Sequence, residues 1–190
     1  MKKTMKAVGI TLLAGSLLVA CNSEEGTDTS EDTTGSGGGM ASELEFNDQL
    51  ELGIGDTAQI SSNLGAYEIT IHSLKQEETV EDKSSMFDYF IVVDVTVKNI
   101  DDETLDASNP VGVLDQTSSL EGSGSGDYSQ NYETIDSISG DLQPGEERNG
   151  QVLFHARNGE EQFIRIQPGL IAAGGVYNEA VWTFTEDEME

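Results

Sequence analysis

The chain has 190 residues, 36 of them acidic against 9 basic, for a formal net charge of −27. That balance excludes a nucleic-acid-binding surface and disfavours anionic lipid headgroups, because the protein's own field repels both. Its one cysteine, Cys21, excludes an intramolecular disulfide and a cysteine metal cluster.

The first segment reads as an export signal. Lys2, Lys3 and Lys6 precede an uncharged apolar run, Ala7 to Ala20. The run is shorter than the ~20 residues a spanning helix needs, so residues 1–20 read as a signal peptide. Its end, Leu18-Val19-Ala20-Cys21, resembles the lipobox of bacterial lipoproteins. In that family the cysteine thiol receives a diacylglycerol and the chain is cut before it. The resemblance implies that Cys21 is the lipidated mature N-terminus, held at the outer face of a Gram-positive cytoplasmic membrane. Losing the three lysines would take the charge to about −30.

Residues 21–43 are rich in Gly, Ser, Thr, Asp and Glu and nearly devoid of apolar side chains. Such a stretch buries too little to offset its ordering entropy, and reads as a disordered linker with a mean reach of ~25 Å.

Residues 44–186 carry strand signals. Leu44 to Leu52 is a weak lead-in, Thr57 to Ser61 a short strand, and Tyr67 to Leu74 places Tyr67, Ile69 and Ile71 on one face. Gln76 to Ser85 is polar and reads as a loop. Met86 to Asn99 is the strongest signal: Phe87, Tyr89, Ile91, Val93, Val95 and Val97 recur at period two. β-branched and aromatic side chains there suit a pleated, half-buried surface. Asn99 to Asn109 reads as a turn region, Val111 to Asp115 as a short strand, and Gln116 to Gly126 as a flexible loop. Tyr128 to Ile138 has weak strand character. Pro144-Gly145 fits the centre of a type II turn. Gln151 to Ala156 and Gln162 to Gln167 are strands, and Asn158-Gly159 between them is the strongest hairpin signal in the chain. Leu170 to Asn178 is Gly- and Ala-rich and has no clear pattern. Ala180 to Thr185 is the last strand, ahead of an acidic tail, 187–190. No window sustains apolar spacing at three and four. The expectation is therefore all-β: an immunoglobulin-like sandwich of about seven to nine strands.

Two blocks carry a resemblance. One is Tyr89 to Asn99 (YFIVVDVTVKN). The other is Leu142 to Glu146 (LQPGE), followed by Gly150, Val152 and Phe154. Behind a lipobox, their order and spacing resemble a domain-of-unknown-function family of Gram-positive lipoproteins and secreted proteins. The resemblance spans about Leu52 to Phe184. It implies a telokin-like immunoglobulin fold, and no catalytic residues to carry over.

The chain lacks a Gly-x-Ser-x-Gly elbow, a His-Glu-x-x-His pair and a phosphate loop. His72 and His155 both fall on strand faces opposite the apolar sets, and read as surface histidines. No cofactor is implied. Asp101, Asp102, Glu103 and Asp106 crowd one loop and form the best candidate calcium site, since that ion takes six to eight oxygens. Their spacing does not match an EF-hand. The sequence thus points to a non-catalytic, membrane-anchored envelope module. It would meet a protein or wall polymer through the loops Gln76–Ser85, Ile100–Pro110 and Gln116–Asp127. A cation-responsive lipoprotein using the acidic loop is the alternative, with an envelope hydrolase behind both.

Overall fold

A computed structural model describes residues 44–169 and 175–190. The expected signal peptide, Cys21 and the linker lie outside the described residues, as do residues 170–174 of the unpatterned stretch.

The described chain is all-β, in two main sheets. One has five strands in the order β1 (Gln49–Leu52), β13 (Ala180–Phe184), β12 (Gln162–Ile166), β8 (Asp115–Thr117), β9 (Ser125–Gly126). The other has four, in the order β11 (Glu147–Ala156), β6 (Tyr89–Asn99), β3 (Gly65–Glu77), β2 (Thr57–Ser62). Two short pairs complete it: β4 (Thr79–Val80) with β5 (Lys83–Ser84), and β10 (Asp141–Leu142) with β7 (Leu105–Asp106). All neighbours run antiparallel except β1, which lies parallel to β13.

The period-two residues of β6 explain the sandwich. Tyr89, Ile91, Val93, Val95 and Val97 are buried between the sheets with Val152, Phe154 and Ala156 of β11. From the facing sheet come Ile164, Ile166, Ala180, Trp182 and Phe184. Burying each large side chain contributes roughly 1.5–3 kcal/mol. Tyr67, Ile69 and Ile71 point inward from β3 as expected, but the next buried residue of that strand is Leu74, one residue out of phase. A bulge between Ile71 and Ser73 supplies the change of phase and leaves His72 exposed.

The Pro144-Gly145 turn forms as expected. Gly145 takes φ +79°, and the Glu146 N–H donates to the Gln143 carbonyl.

Five local expectations are corrected. Gln76 to Ser85 is not a loop: it holds the end of β3 and the β4–β5 hairpin, turned by Glu81 and Asp82 at φ 52° and 59°. Val111 to Asp115 is not a strand. Ser108–Gly112 forms a short helix, α1, and the Asp106 carboxylate accepts the Ser108 N–H and Oγ–H just before it. Tyr128 to Ile138 holds a 3-10 turn, Ser129–Asn131, where the Asp127 carboxylate captures the Ser129 N–H. Asn158-Gly159 makes no hairpin, because β11 and β12 belong to different sheets. The outer edge of β11 is already taken by segment 125–137, through Tyr128, Ser125, Asp127 and Asp136, so the chain must cross over instead. The acidic tail is docked. Thr185 and Glu188 form a capping box, and Glu190 exchanges main-chain hydrogen bonds with Leu74 and Gln76 of β3.

Candidate functional site

The loop Gln116 to Gly126 reads as flexible in the sequence but is clamped in the structure. Arg165 of β12 is 3% exposed. Its Nε–H donates to Asp115 Oδ1 at 2.7 Å, Nη1–H to the Leu120 carbonyl at 2.6 Å, and Nη2–H to the Gly122 carbonyl at 2.8 Å. A planar fork of five donors suits this task, fixing one carboxylate and two carbonyls at once. Gly124 packs on the same carboxylate: a Cβ there would lie 2.5 Å from the Asp115 carboxyl carbon.

The clamped loop forms one wall of a cleft of about 230 Å³. Ser118, Ser123 and Ser125 line it from the loop, with His155 at the end of β11, Arg157 just beyond and Phe87 opposite. No aspartate or glutamate lines it. The Arg157 guanidinium stacks on the Phe87 ring, Cζ 3.9 Å from the ring centroid.

His155 is the site residue that the sequence misplaces. Alternation puts it on the outer face of β11, where it does sit, yet it is only 3% exposed. Segment 125–135 and the β4–β5 hairpin cover this part of the outer face, over a second small core of Val80, Phe90, Val92, Ile135 and Leu153. The His155 ring lies 4.7 Å from Phe90 and 4.6 Å from Tyr128, centroid to centroid. The signal was present in the sequence as apolar residues, Phe90, Val92 and Leu153, on strand faces that alternation reserves for water.

The protonation state of His155 follows from its partners. The Met86 N–H donates to Nδ1 at 3.1 Å, so that nitrogen carries no proton, and Ser85 Oγ lies 3.1 Å from it as well. The ring is thus neutral, with its proton on Nε2. Burial pushes its pKa below the ordinary histidine value, in agreement. Ser85 Oγ in turn accepts the Phe87 N–H. The Ser85–His155 contact resembles half of a nucleophilic pair, but the ring's basic nitrogen already holds a main-chain amide. Among the described residues no carboxylate orients the ring. His155 fixes the 85–87 segment, and with it the Phe87 platform.

The acidic loop has a different role from the one its composition suggests. Asp101 Oδ2 accepts the Ala66 N–H and Oδ1 the Asp102 N–H, both at 2.8 Å. Asp106 is bound to Ser108, and the amide and hydroxyl of that residue hold its carboxyl below the usual range. Asp102 and Glu103 are exposed. Among the described residues no group of three or more His, Cys, Asp or Glu is placed to hold a metal ion. Asp101, Asp102, Glu103 and Asp106 are therefore not gathered into a calcium cage, because Asp101 and Asp106 face main-chain amides of separate turns. Of the three expected contact loops, Gln116–Asp127 builds the cleft. Gln76–Ser85 ends in the serine beside His155, and Ile100–Pro110 contributes nothing to the lining.

An all-β sandwich whose cleft is lined from both main sheets defines the class. Within it, the chain belongs to the family described as "Domain of unknown function (DUF4352)", matched over residues 52–176. The fold is similar to the secreted protein MPT63 of Mycobacterium tuberculosis, at TM-score 0.53 and 11% identity, over 70% of this chain and 96% of that one. It is also similar to a Bacillus subtilis protein described as a "putative lipoprotein (ycdA)", at TM-score 0.50 and 10% identity, over 71% of this chain. The match spans 39% of that lipoprotein's length. No functionally curated protein matches the chain.

Proposed function

We propose that this protein is a lipid-anchored, non-catalytic binding module of the bacterial envelope. In this reading, residues 1–20 export the chain, acylated Cys21 holds it at the outer membrane face, and the linker presents the sandwich. Two buried acyl chains suffice for stable attachment where one does not. The cleft under Phe87 and Arg157 is the binding site, and its geometry is the observation that carries the reading. Arg165 holds one wall and His155 the other, while the Ser118 and Ser123 hydroxyls have no protein partner among the described residues. A rigid, preformed pocket lowers the ordering cost of binding. The acidic chemistry of the rest of the surface keeps the module soluble and repels nucleic acid.

The test uses the full chain produced in its native host. A Cys21→Ser variant is expected in the medium rather than the membrane fraction. Membrane-held protein, incubated with an envelope digest, is expected to retain a small component detectable by mass spectrometry. Ser123→Trp, which fills the cleft from an exposed loop, is expected to abolish retention without changing the unfolding midpoint. Retention unchanged by Ser123→Trp would place binding elsewhere.

A further inference from the structure

The described part of the chain carries few cations, and most of them are matched. Lys75 pairs with Glu77, Lys83 with Glu81, Lys98 with Glu68 and Arg165 with Asp115. Arg148 is held by the Ser139 and Asp141 carbonyls. Arg157 differs. Among the described residues it has no carboxylate partner, although the chain carries 36 acidic residues. It stands at a cleft from which acidic side chains are absent.

Three further polar groups of the cleft are donors without acceptors, while Gln116, Thr117 and Ser125 are engaged within the protein. The His155 Nε2–H has no hydrogen-bond acceptor among the described residues, since the ring is engaged through Nδ1 alone. The Ser118 and Ser123 hydroxyls likewise have no protein partner among the described residues. The Asp115 carboxylate, only partly buried, lies behind Gly124 and is paired with Arg165. A cleft with one free guanidinium, a neutral imidazole N–H and two hydroxyls is complementary to an acceptor of single negative charge.

We propose that the cleft is a receptor for one carboxylate group borne on a small, partly apolar molecule. This deepens the binding reading above and rests on it. The guanidinium fork matches a carboxylate edge on, with two parallel N–H···O bonds. Its face is already fixed on Phe87, so little side-chain entropy is lost on binding. A dianionic phosphate would meet the same single cation within a field of net charge −27, which disfavours the second charge. A metal cation would find no carboxylate in the lining. The exposed part of the Phe87 ring, 39% accessible, offers apolar contact to the carbon skeleton beside the acid.

The experiment titrates the full chain, in detergent, with four probes: N-acetylalanine, its methyl ester, inorganic phosphate and N-acetylglucosamine. Amide and imidazole NMR shifts of the cleft residues are followed. The acid is expected to shift His155 Nε2–H and the Ser123 amide saturably, and the ester and phosphate to bind about ten- to a hundredfold more weakly. Arg157→Gln should weaken the acid by a similar factor. Arg157→Lys, which keeps the charge and loses the fork, should recover only part of the affinity. Equal binding of acid and ester, or an unchanged affinity in Arg157→Gln, overturns the carboxylate assignment. Cleft shifts with N-acetylglucosamine but not the acid would leave the binding module standing and remove its anion preference. Silence of the cleft toward all four overturns the carboxylate assignment, and the envelope-digest retention then decides the module separately.

Discussion

The outer face of the four-stranded sheet has two halves built from the same strands, and they behave oppositely. At one end His72, Thr96 and Asn149 bond one another, and exposed Asp94 accepts hydrogen bonds from Ser73 and Gln151. His72 Nε2 lies 2.6 Å from Thr96 Oγ1, and Thr96 donates to Asn149. At the other end, Phe90, Val92, Leu153 and His155 are buried under segment 125–135 and the β4–β5 hairpin. The same pleat thus ends in a solvated surface on one side and a miniature core on the other. Only the second half touches the cleft, through His155, whose ring the cover packs between Phe90 and Tyr128.

The largest expected effect tests whether the cover is truly a core. Phe90→Ala should cost about 3–5 kcal/mol in denaturant unfolding, because the ring is fully buried and packs edge-on against Tyr132 at 5.7 Å. Thr96→Ala, six residues along the same strand, should stay within about 0.5 kcal/mol. Equal costs would erase the distinction between the halves. A middle-sized effect concerns how the cover is attached. Asp127 Oδ1 accepts the N–H groups of both Ser129 and Leu153, joining the 3-10 turn to β11. Asp127→Ala is therefore expected to cost about 1–2 kcal/mol and to speed amide exchange in residues 128–135 before the rest. Uniform exchange would show that the cover and the sandwich open together.

The smallest effect depends on pH. Burial lowers the His155 pKa in the folded state, so the unfolded chain binds the proton first as pH falls. The stability this ring contributes is fully present above about pH 6.5 and is lost as pH drops from there toward the folded value. His155→Gln should flatten that part of the stability curve. A slope that survives the substitution would assign it to another group.

How far the sequence reached follows the same divide. Where one rule governs a residue, as with the inward positions of β6 or the Pro144-Gly145 turn, the reading was correct. The family resemblance, carried by Tyr89–Asn99 and the LQPGE block, was correct as well. Where a distant segment decides, the reading failed. Asn158-Gly159 has hairpin chemistry, but the edge it would need is occupied by residues twenty or more positions earlier. A Ser- and Gly-rich loop looks mobile until Arg165, over forty residues away in sequence, is seen to grip its carbonyls. The cleft is assembled from these long-range contacts, so no local motif announces it. Phe90, Val92 and Leu153 were the available hint, as greasy residues where water was expected.

Glu190, docked on β3, has a consequence of another kind. Past Thr70, β3 no longer pairs with β2, and its main-chain groups would be open to any passing strand. The Gly55 N–H on Ile71, together with Glu190 on Leu74 and Gln76, stoppers that row. Copies of the protein crowded side by side are thereby denied the template on which they would otherwise polymerise.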